Sequence, residues 1–320
     1  MIRFDPTTKR NHGNAYTFIS HAHGDHIGGL NPDEKIYLTA ETKDILFKRN
    51  SVEEFENLIP LRYGGTVPID GLDISIHNSG HILGSAQYEI RDSTSTIVYT
   101  GDINCRETLT TTAAEAIPCD TLILETTYGN PFYNFPSLTK IHASIISWAI
   151  EEIQKKRTPT FTVYPTGKAQ EIVKIFNEFT SIPVVTSHLV AKVNEAYYKN
   201  GVKLRYQDST SEDGKELLKQ PCVQVISPSE KSFVLGRCSF ATTTGWALRS
   251  GIKISADATF PLSGHADFKQ LVNYVEHAKP KELFTVHGFK KDFASYISRK
   301  LGIRARELPP LKQSNLRTFM

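Results

Sequence analysis

The chain has 320 residues, 39% of them hydrophobic, 22% charged and 10% aromatic, with a net charge of +3. That is a globular composition; it excludes disordered, collagen-like and fibrous classes, and the length predicts one large domain or two intimately joined ones. The charge is uneven: residues 266–320 carry 11 Lys and Arg against 5 Asp and Glu, a basic face that suits either an anionic partner or plain solvent.

Residues 14–130 read as short strands with polar turns: 16–19, 72–76, 86–90, 96–99 and 121–124 are β-rich runs ending in Ser, Asn, Gly or Asp. From about Ser137 the pattern alternates. Helical spacing over 137–155 (Ile141, Ile145, Trp148, Ile153) is followed by a strand at 161–164, a helix at 168–179, a strand at 183–186 and a helix at 188–199. Such alternation predicts βαβ units on a parallel sheet. After Pro261 come a helix at 267–278, a strand at 282–286 and a helix at 292–301. The expected organisation is a β-rich first part, an α/β middle of about 110 residues, and a last part that packs back on the first. Four cysteines (Cys105, Cys119, Cys222, Cys238) lie far apart without a Cys-x-x-Cys pair, the usage of a reducing compartment. No charged-then-apolar leader opens the chain and no apolar run nears the ~20 residues of a membrane span. A cytoplasmic protein without a membrane partner is therefore expected.

The sharpest feature is His21-Ala-His23-Gly-Asp25-His26, directly after an apolar run. Three imidazoles and a carboxylate on a loop leaving a strand suit zinc and related divalent ions. They converge only if the backbone turns tightly, which Gly24 and Gly28-Gly29 would permit. His81, in Ser79-Gly80-His81, and Asp102, in Thr100-Gly101-Asp102, each sit beside glycine at a predicted strand end. A lone residue there is usually a turn or cap, but such ends also carry functional loops, and with the upstream cluster both are candidate ligands.

These motifs, in this order, resemble the metallo-β-lactamase superfamily. The resemblance implies an α/β fold, an αββα sandwich with a dinuclear metal site; the superfamily hosts lactamases, thioester hydrolases and nucleases. Three further segments resemble motifs A, B and C of its β-CASP nuclease branch: Glu125-Thr-Thr-Tyr128-Gly129, Ser263-Gly264-His265-Ala-Asp267 and Thr285-Val-His287-Gly288. The Tyr164-Pro-Thr-Gly167-Lys168-Ala-Gln170-Glu171 segment is similar to that branch's inserted domain. The implied division is a sandwich of residues 1–135 and 250–320 with an α/β insertion at 136–249.

The resemblance implies one metal site of His21, His23, His81 and Asp102, and a second of Asp25, His26, His287 and the shared Asp102. Two divalent ions would fill them, zinc ahead of manganese, leaving a net positive centre that favours an anionic phosphodiester over a neutral amide. His265 is the candidate general acid, with Glu125 holding and charging it; the bland alternatives are a helix-end histidine beside a capping Asp267 and a carboxylate satisfied by a turn. Asp5, in Phe4-Asp5-Pro6, would support a metal-bound histidine from outside, although an Asp-Pro turn explains it as well. Ser263, with the N–H groups opening the helix that follows, and Gly167-Lys168 are candidate phosphate grips; the spacing of an ATP-binding P-loop is absent. Lys290 and Lys291 either extend a backbone track or form an ordinary exposed pair.

The expected partner is nucleic acid. His287 in motif C resembles RNA-acting members, whereas Thr244-Gly245-Trp246 resembles an element of Artemis-like nucleases and ligase-associated DNA exonucleases, unless Trp246 simply fills the core. The balance favours a DNA exonuclease working from the 5′ end, with RNA processing as the alternative. A small ester or thioester hydrolase, which would leave Glu125 and His265 without a role, and a catalytically dead binding subunit are the readings from other classes.

Overall fold

A computed structural model gives the fold and describes residues 1–8, 15–49, 57–234, 236–249 and 255–309. The chain opens with β1 (Ile2–Phe4), β2 (Tyr16–Phe18), β3 (Lys35–Thr39), α1 (Ala40–Lys48) and β4 (Leu58–Leu61); the four strands form a parallel sheet in that order. Thr39 ends β3 and caps α1, its hydroxyl accepting from the Thr42 N–H. The next strands are β5 (Thr66–Ile69), β6 (Leu72–Asn78), β7 (Ala86–Arg91) and β8 (Thr96–Tyr99), an antiparallel meander, and β9 (Thr121–Glu125), parallel to β8.

The middle of the chain runs α2 (Leu138–Gln154), β10 (Thr158–Thr162), α3 (Lys168–Phe179), β11 (Val184–Thr186), α4 (His188–Lys199), β12 (Gln207–Asp208), α5 (Glu212–Leu217), β13 (Val223–Ile226), β14 (Cys238–Thr243) and β15 (Ala258–Phe260). All six strands pair in parallel, in the order β12-β11-β13-β10-β14-β15. The last part supplies α6 (Phe268–Ala278), β16 (Glu282–Val286), α7 (Lys290–Leu301) and β17 (Arg304–Glu307). β16 docks beside β9, and β17 beside β16, completing a seven-stranded sheet β17-β16-β9-β8-β7-β6-β5.

The period of two along each strand decides what packs where. Ile97, Tyr99 and Ile123 face the four-stranded sheet, whereas their neighbours Val98, Leu122 and Leu124 face α6 and α7. Between the sheets lies an aromatic core: Phe18 stacks on Phe4 at 5.4 Å and on Tyr37 at 4.8 Å, and meets Tyr88 edge-on at 5.2 Å. With α1 outside one sheet and α6 and α7 outside the other, the first and last parts make the αββα sandwich. A third apolar cluster is shared: Ile19, Leu38, Ile45 and Ile82 of the sandwich join Phe161, Ile172 and Val223 of the insertion.

Three expectations shift. The strand expected at 161–164 is β10, Thr158–Thr162. Pro159 sits inside it although β10 is flanked on both sides, a position that propensity argues against. α7 starts at Lys290, two residues before the expected 292. β15 carries the six-stranded sheet to Phe260, beyond the boundary expected at 249. Among the described residues no helix is long and apolar enough to cross a membrane.

Phe18 is wholly buried in the aromatic core, so Phe18→Ala should cost about 3–5 kcal/mol. Urea unfolding reads this; a loss under about 1 kcal/mol would show that the sheets are not held together there.

Candidate metal centre and active site

The candidate residues lie just past strand ends on one rim of the sandwich. His21, His23 and His26 follow β2, His81 lies between β6 and β7, Asp102 follows β8, Glu125 ends β9, His265 precedes α6 and His287 follows β16. Asp102 reaches the rim because Gly101 passes against Ser20 in a left-handed turn (φ +55°); a Cβ there would stand 2.5 Å from the Ser20 Cβ. The ligand loop turns tightly at Gly24 and at Gly28-Gly29, as expected, without a positive φ at any of the three. Gly29 instead permits a close approach to Pro6, whose carbonyl accepts from its N–H at 2.6 Å.

Two clusters share one carboxylate. His21, His23, His81 and Asp102 bring their ligand atoms within 4.8 Å of one another, as do His26, Asp102 and His287. Oδ2 of Asp102 lies 3.6 Å from the Nε2 atoms of His21, His26 and His81. Asp25 stands apart: its side chain is largely exposed and its carboxylate comes only within 3.7 Å of His26 Nε2.

The outward ring nitrogens test whether this donor set fits a cation. Nδ1 of His21 faces Ser20 Oγ at 2.9 Å, Nε2 of His23 the Thr166 carbonyl at 3.3 Å, Nδ1 of His26 the Asp5 carboxylate at 2.8 Å, and Nδ1 of His81 the Gly264 carbonyl at 2.7 Å. Ser20 donates its hydroxyl proton to Asp5, so it accepts from His21. Each ring thus keeps a proton on the outward nitrogen; the inner nitrogens of His21, His23 and His81 turn lone pairs toward a carboxylate, and that of His26 would join them once a cation displaces its second proton. Nitrogens this close, 3.0 Å between His21 and His23 and 3.2 Å between His81 and His23, repel unless a cation sits among them. The set fits a divalent metal of zinc type.

Electrostatics agree. Burial, reinforced by the neighbouring imidazoles, holds His21 and His81 well below the ordinary 6.5; burial brings His23 down to about 3. Burial would lower His26 too, but the Asp5 carboxylate overrides it and lifts His26 to about 10. Asp5 is therefore more than an Asp-Pro turn. It adopts a left-handed φ of 41°, costly for a non-glycine residue, and is held there by Ser20, His26 and the Tyr99 hydroxyl at 2.8 Å.

Beside the clusters, His265 Nδ1 meets Glu125 Oε1 at 3.0 Å, and its Nε2 lies 3.9 Å from Asp102. Burial disfavours the imidazolium, but Glu125 and Asp102 together raise the His265 pKa. Burial likewise disfavours the Glu125 carboxylate, yet His265 and the Thr127 N–H, at 2.8 Å, keep it ionised. Ser263 Oγ accepts from the His265 N–H at 3.0 Å. Asp267 does cap α6, accepting from Gln270 at 3.0 Å, and the Phe268 N–H is spent on the Tyr133 carbonyl. The Phe268 and Gln270 N–H groups opening that helix are thus engaged rather than free for phosphate. Lys290 is paired with Glu307 at 3.3 Å while Lys291 is exposed.

The centre opens into a cavity of about 820 Å³ between sandwich and insertion, lined by Lys168, Gly167, Tyr164, Trp246, Arg49 and Ser263 among others. Burial brings Lys168 down to about 8, and its ammonium lies 5.4 Å from the Tyr164 ring. Trp246 packs on Tyr128, Tyr133 and Phe289 and also lines the cavity, so it is both packing and wall. Sequence reasoning missed Arg49, which ends α1, and the Thr166 carbonyl, which carries no residue signature. It named Tyr128 only within its motif; the ring lies edge-on to His265 at 5.9 Å.

Known proteins bear on this arrangement. Residues 251–306 match the Zn-dependent metallo-hydrolase RNA specificity domain, RMMBL. A probable DNA ligase of Opitutus terrae is 30% identical over 90% of this chain, which spans 28% of that protein's length. An RNase J-like protein of Methanocaldococcus jannaschii is 24% identical, covering 87% of this chain and 82% of its own; RNase aCSPSF2 of Saccharolobus solfataricus is 26% identical, covering 89% and 72%. A solved protein of unknown function from Enterococcus faecalis shares the fold, with a TM-score of 0.64, 18% identity, and coverage of 95% of this chain and 81% of its own. The chain belongs to the β-CASP branch of the metallo-β-lactamase superfamily.

The His26–Asp5 pair sets the sign of a pH effect. Because folding raises His26 from 6.5 to about 10, the pair adds stability that is complete below pH 6.5 and lost as pH climbs through 10. Urea unfolding of metal-free protein should weaken across that window, and Asp5→Asn should remove most of the slope; an unchanged slope in the variant would refute the assignment.

Proposed function

We propose that the chain is a dinuclear-metal nuclease, and specifically a 5′ exonuclease acting on DNA in cytoplasmic repair or processing. One observation carries the nuclease reading: Glu125, His265 and Asp102 form a connected set at the mouth of the metal clusters. A small ester hydrolase would need no such set. The division that fits this reading is a sandwich of residues 1–135 and 261–320 with an insertion at 136–260.

His21, His23, His81 and Asp102 would hold one ion; His26, His287, Asp102 and Asp25 the other. Asp25 is assigned there because 3.7 Å from His26 Nε2 is close to the roughly 3.3 Å between two ligands of one tetrahedral ion. When bound, two such ions polarise the phosphoryl group and lower the pKa of water. The chain's own residues do the rest. His265 keeps Nδ1–H on Glu125 and points Nε2–H at the space beside Asp102, where it delivers a proton to the departing oxygen. Glu125 stabilises the imidazolium and fixes its ring. Lys168 and Ser263, from opposite walls of the cavity, hold phosphate oxygens, with the Gly167 turn bringing backbone close to the strand.

Two observations support DNA: the matched segment lies within a probable DNA ligase in Opitutus, and Trp246 of the Gly245-Trp246 element lines the same cavity as His265. A second reading, RNA processing, draws on His287, on the RNA specificity domain at 251–306 and on the RNase relatives.

A strand-cleavage assay with end-labelled single-stranded DNA and RNA, with and without a 5′-phosphate, in zinc and in manganese, tests this. A ladder from the 5′ end of DNA is expected; preferential RNA loss would favour the second reading, and no cleavage by protein holding two metals would overturn both. In the same assay His265→Ala should keep its metal and lose turnover about 10²–10⁴-fold, whereas Asp25→Ala should lose metal and activity together. Normal cleavage by His265→Ala would remove the acid from the scheme.

A further inference from the structure

Of the four outer-shell contacts around the clustered imidazoles, one comes from the inserted domain. His23 also differs in its ring: it turns Nδ1 inward and holds Nε2–H outward, 3.3 Å from the Thr166 carbonyl. Thr166 lies on the turn between β10 and α3, and the turn is braced from within. The Gly167 N–H donates to Gln170 Oε1 at 2.7 Å, and Gln170 Nε2 donates to the Pro165 carbonyl at 3.0 Å and to Asn194 at 2.8 Å. It is also seated against the sandwich. Gly167 has φ +87°, and a Cβ there would stand 2.4 Å from Cγ2 of Ile82, a buried residue next to His81. One residue on, the Leu83 N–H reaches the Tyr197 hydroxyl of α4 at 3.4 Å. The insertion therefore touches two of the ligand-bearing loops, at His23 and beside His81.

A neutral imidazole has one proton. If no acceptor held it on Nε2, the tautomer with the proton on Nδ1 would aim an N–H into the cluster and withdraw a ligand. We infer that the Thr166 carbonyl is a positioning group for the metal centre: the inserted domain, seated through Gly167 on Ile82, fixes His23 as an Nδ1 ligand, so that metal retention depends on where the insertion sits. The inference rests on the metal-centre reading above. It assigns to the insertion a part in building the centre, in addition to any part in gripping substrate.

The test reads metal affinity without nucleic acid, by competition with a chromophoric zinc chelator. Gly167→Ala strains a left-handed turn and pushes it off Ile82. Gly201→Ala imposes the same backbone strain (φ +89°) at the end of α4, with nothing within 4 Å of the new methyl. Gly167→Ala should weaken zinc binding about 10–100-fold, the usual effect of losing an outer partner of a ligating histidine, while Gly201→Ala should match the wild type. Equal affinity in all three proteins, or equal losses in both variants, would overturn the inference. Should Gly167→Ala not fold, nitrogen-15 spectra of the zinc-loaded wild type decide. Metal on Nδ1 of His23 with a slowly exchanging Nε2–H supports the inference; metal on Nε2, or an Nε2–H in fast exchange with water, defeats it. Wild-type protein that binds less than one equivalent of zinc would overturn the metal-centre reading and this one with it. Tight wild-type binding that Gly167→Ala leaves unchanged would overturn the coupling alone.

Discussion

A buried imidazole can turn a lone pair inward only while something outside takes its proton. Around this centre the takers are Ser20 Oγ, the Asp5 carboxylate, the Gly264 carbonyl and the Thr166 carbonyl. They come from the first strand's end, the ligand loop itself, the turn before α6 and the inserted domain. Much of the architecture reads as the means of bringing these four oxygens to one rim. The parallel sheet places Asp5 beside Ser20, the seven-stranded sheet carries Asp102 and Glu125, and the return of the chain after the insertion delivers Gly264 against His81. The glycine is tight there, since its Cβ would stand 3.0 Å from the His81 carbonyl oxygen. Opposed charge does the remaining work: Asp5 raises the pKa of His26, and Glu125 with Asp102 that of His265, among rings that burial holds low.

The candidate ligands were legible because their chemistry is crowded into a few residues. His21 to His26 is dense in imidazoles, and His81 and Asp102 each sit beside glycine at a strand end. Strands that are short runs of apolar and β-branched residues, such as β8 and β16, were legible from composition, as were α3 and α4 from their long apolar stripes. What stayed hidden has separate causes. The Thr166 and Gly264 oxygens belong to the backbone, which every residue type has, so no letter marks them. Strand β10 was displaced because Pro159 looks like a boundary, yet a flanked strand tolerates it here. The short α1, with only three buried residues, leaves too narrow an apolar stripe to stand out. Asp25 keeps a largely exposed carboxylate 3.7 Å from His26 Nε2, a direction that its place in the motif does not fix.

Sandwich and insertion are not two bodies joined by a linker. One apolar cluster runs from Ile19 and Leu38 through Ile82 to Phe161 and Val223, and polar clasps reinforce it. Asp44 of α1 meets Lys199 and Asn200, and Glu171 of α3 accepts from Leu109 and Thr110. The cavity between them is thus bounded on both sides by walls that share a core, which favours a fixed slot for an extended strand over a mouth that opens widely.

The pairing of β9 with β16 also fixes an order of assembly during synthesis. When β9 leaves the ribosome its outer edge has no neighbour, and the whole inserted domain must be made before β16 arrives to cover it. His21, His23, His26, His81 and Asp102 are by then already outside, but Gly264, His265 and His287 are not. The nascent chain therefore passes through a long interval with most of its candidate ligands exposed, one sheet edge open and the outer support for His81 still missing. Completion of the site waits on the segment from Gly264 to His287, which places the burden of guarding an unfinished sheet and a half-made site on the translating cell rather than on the finished fold.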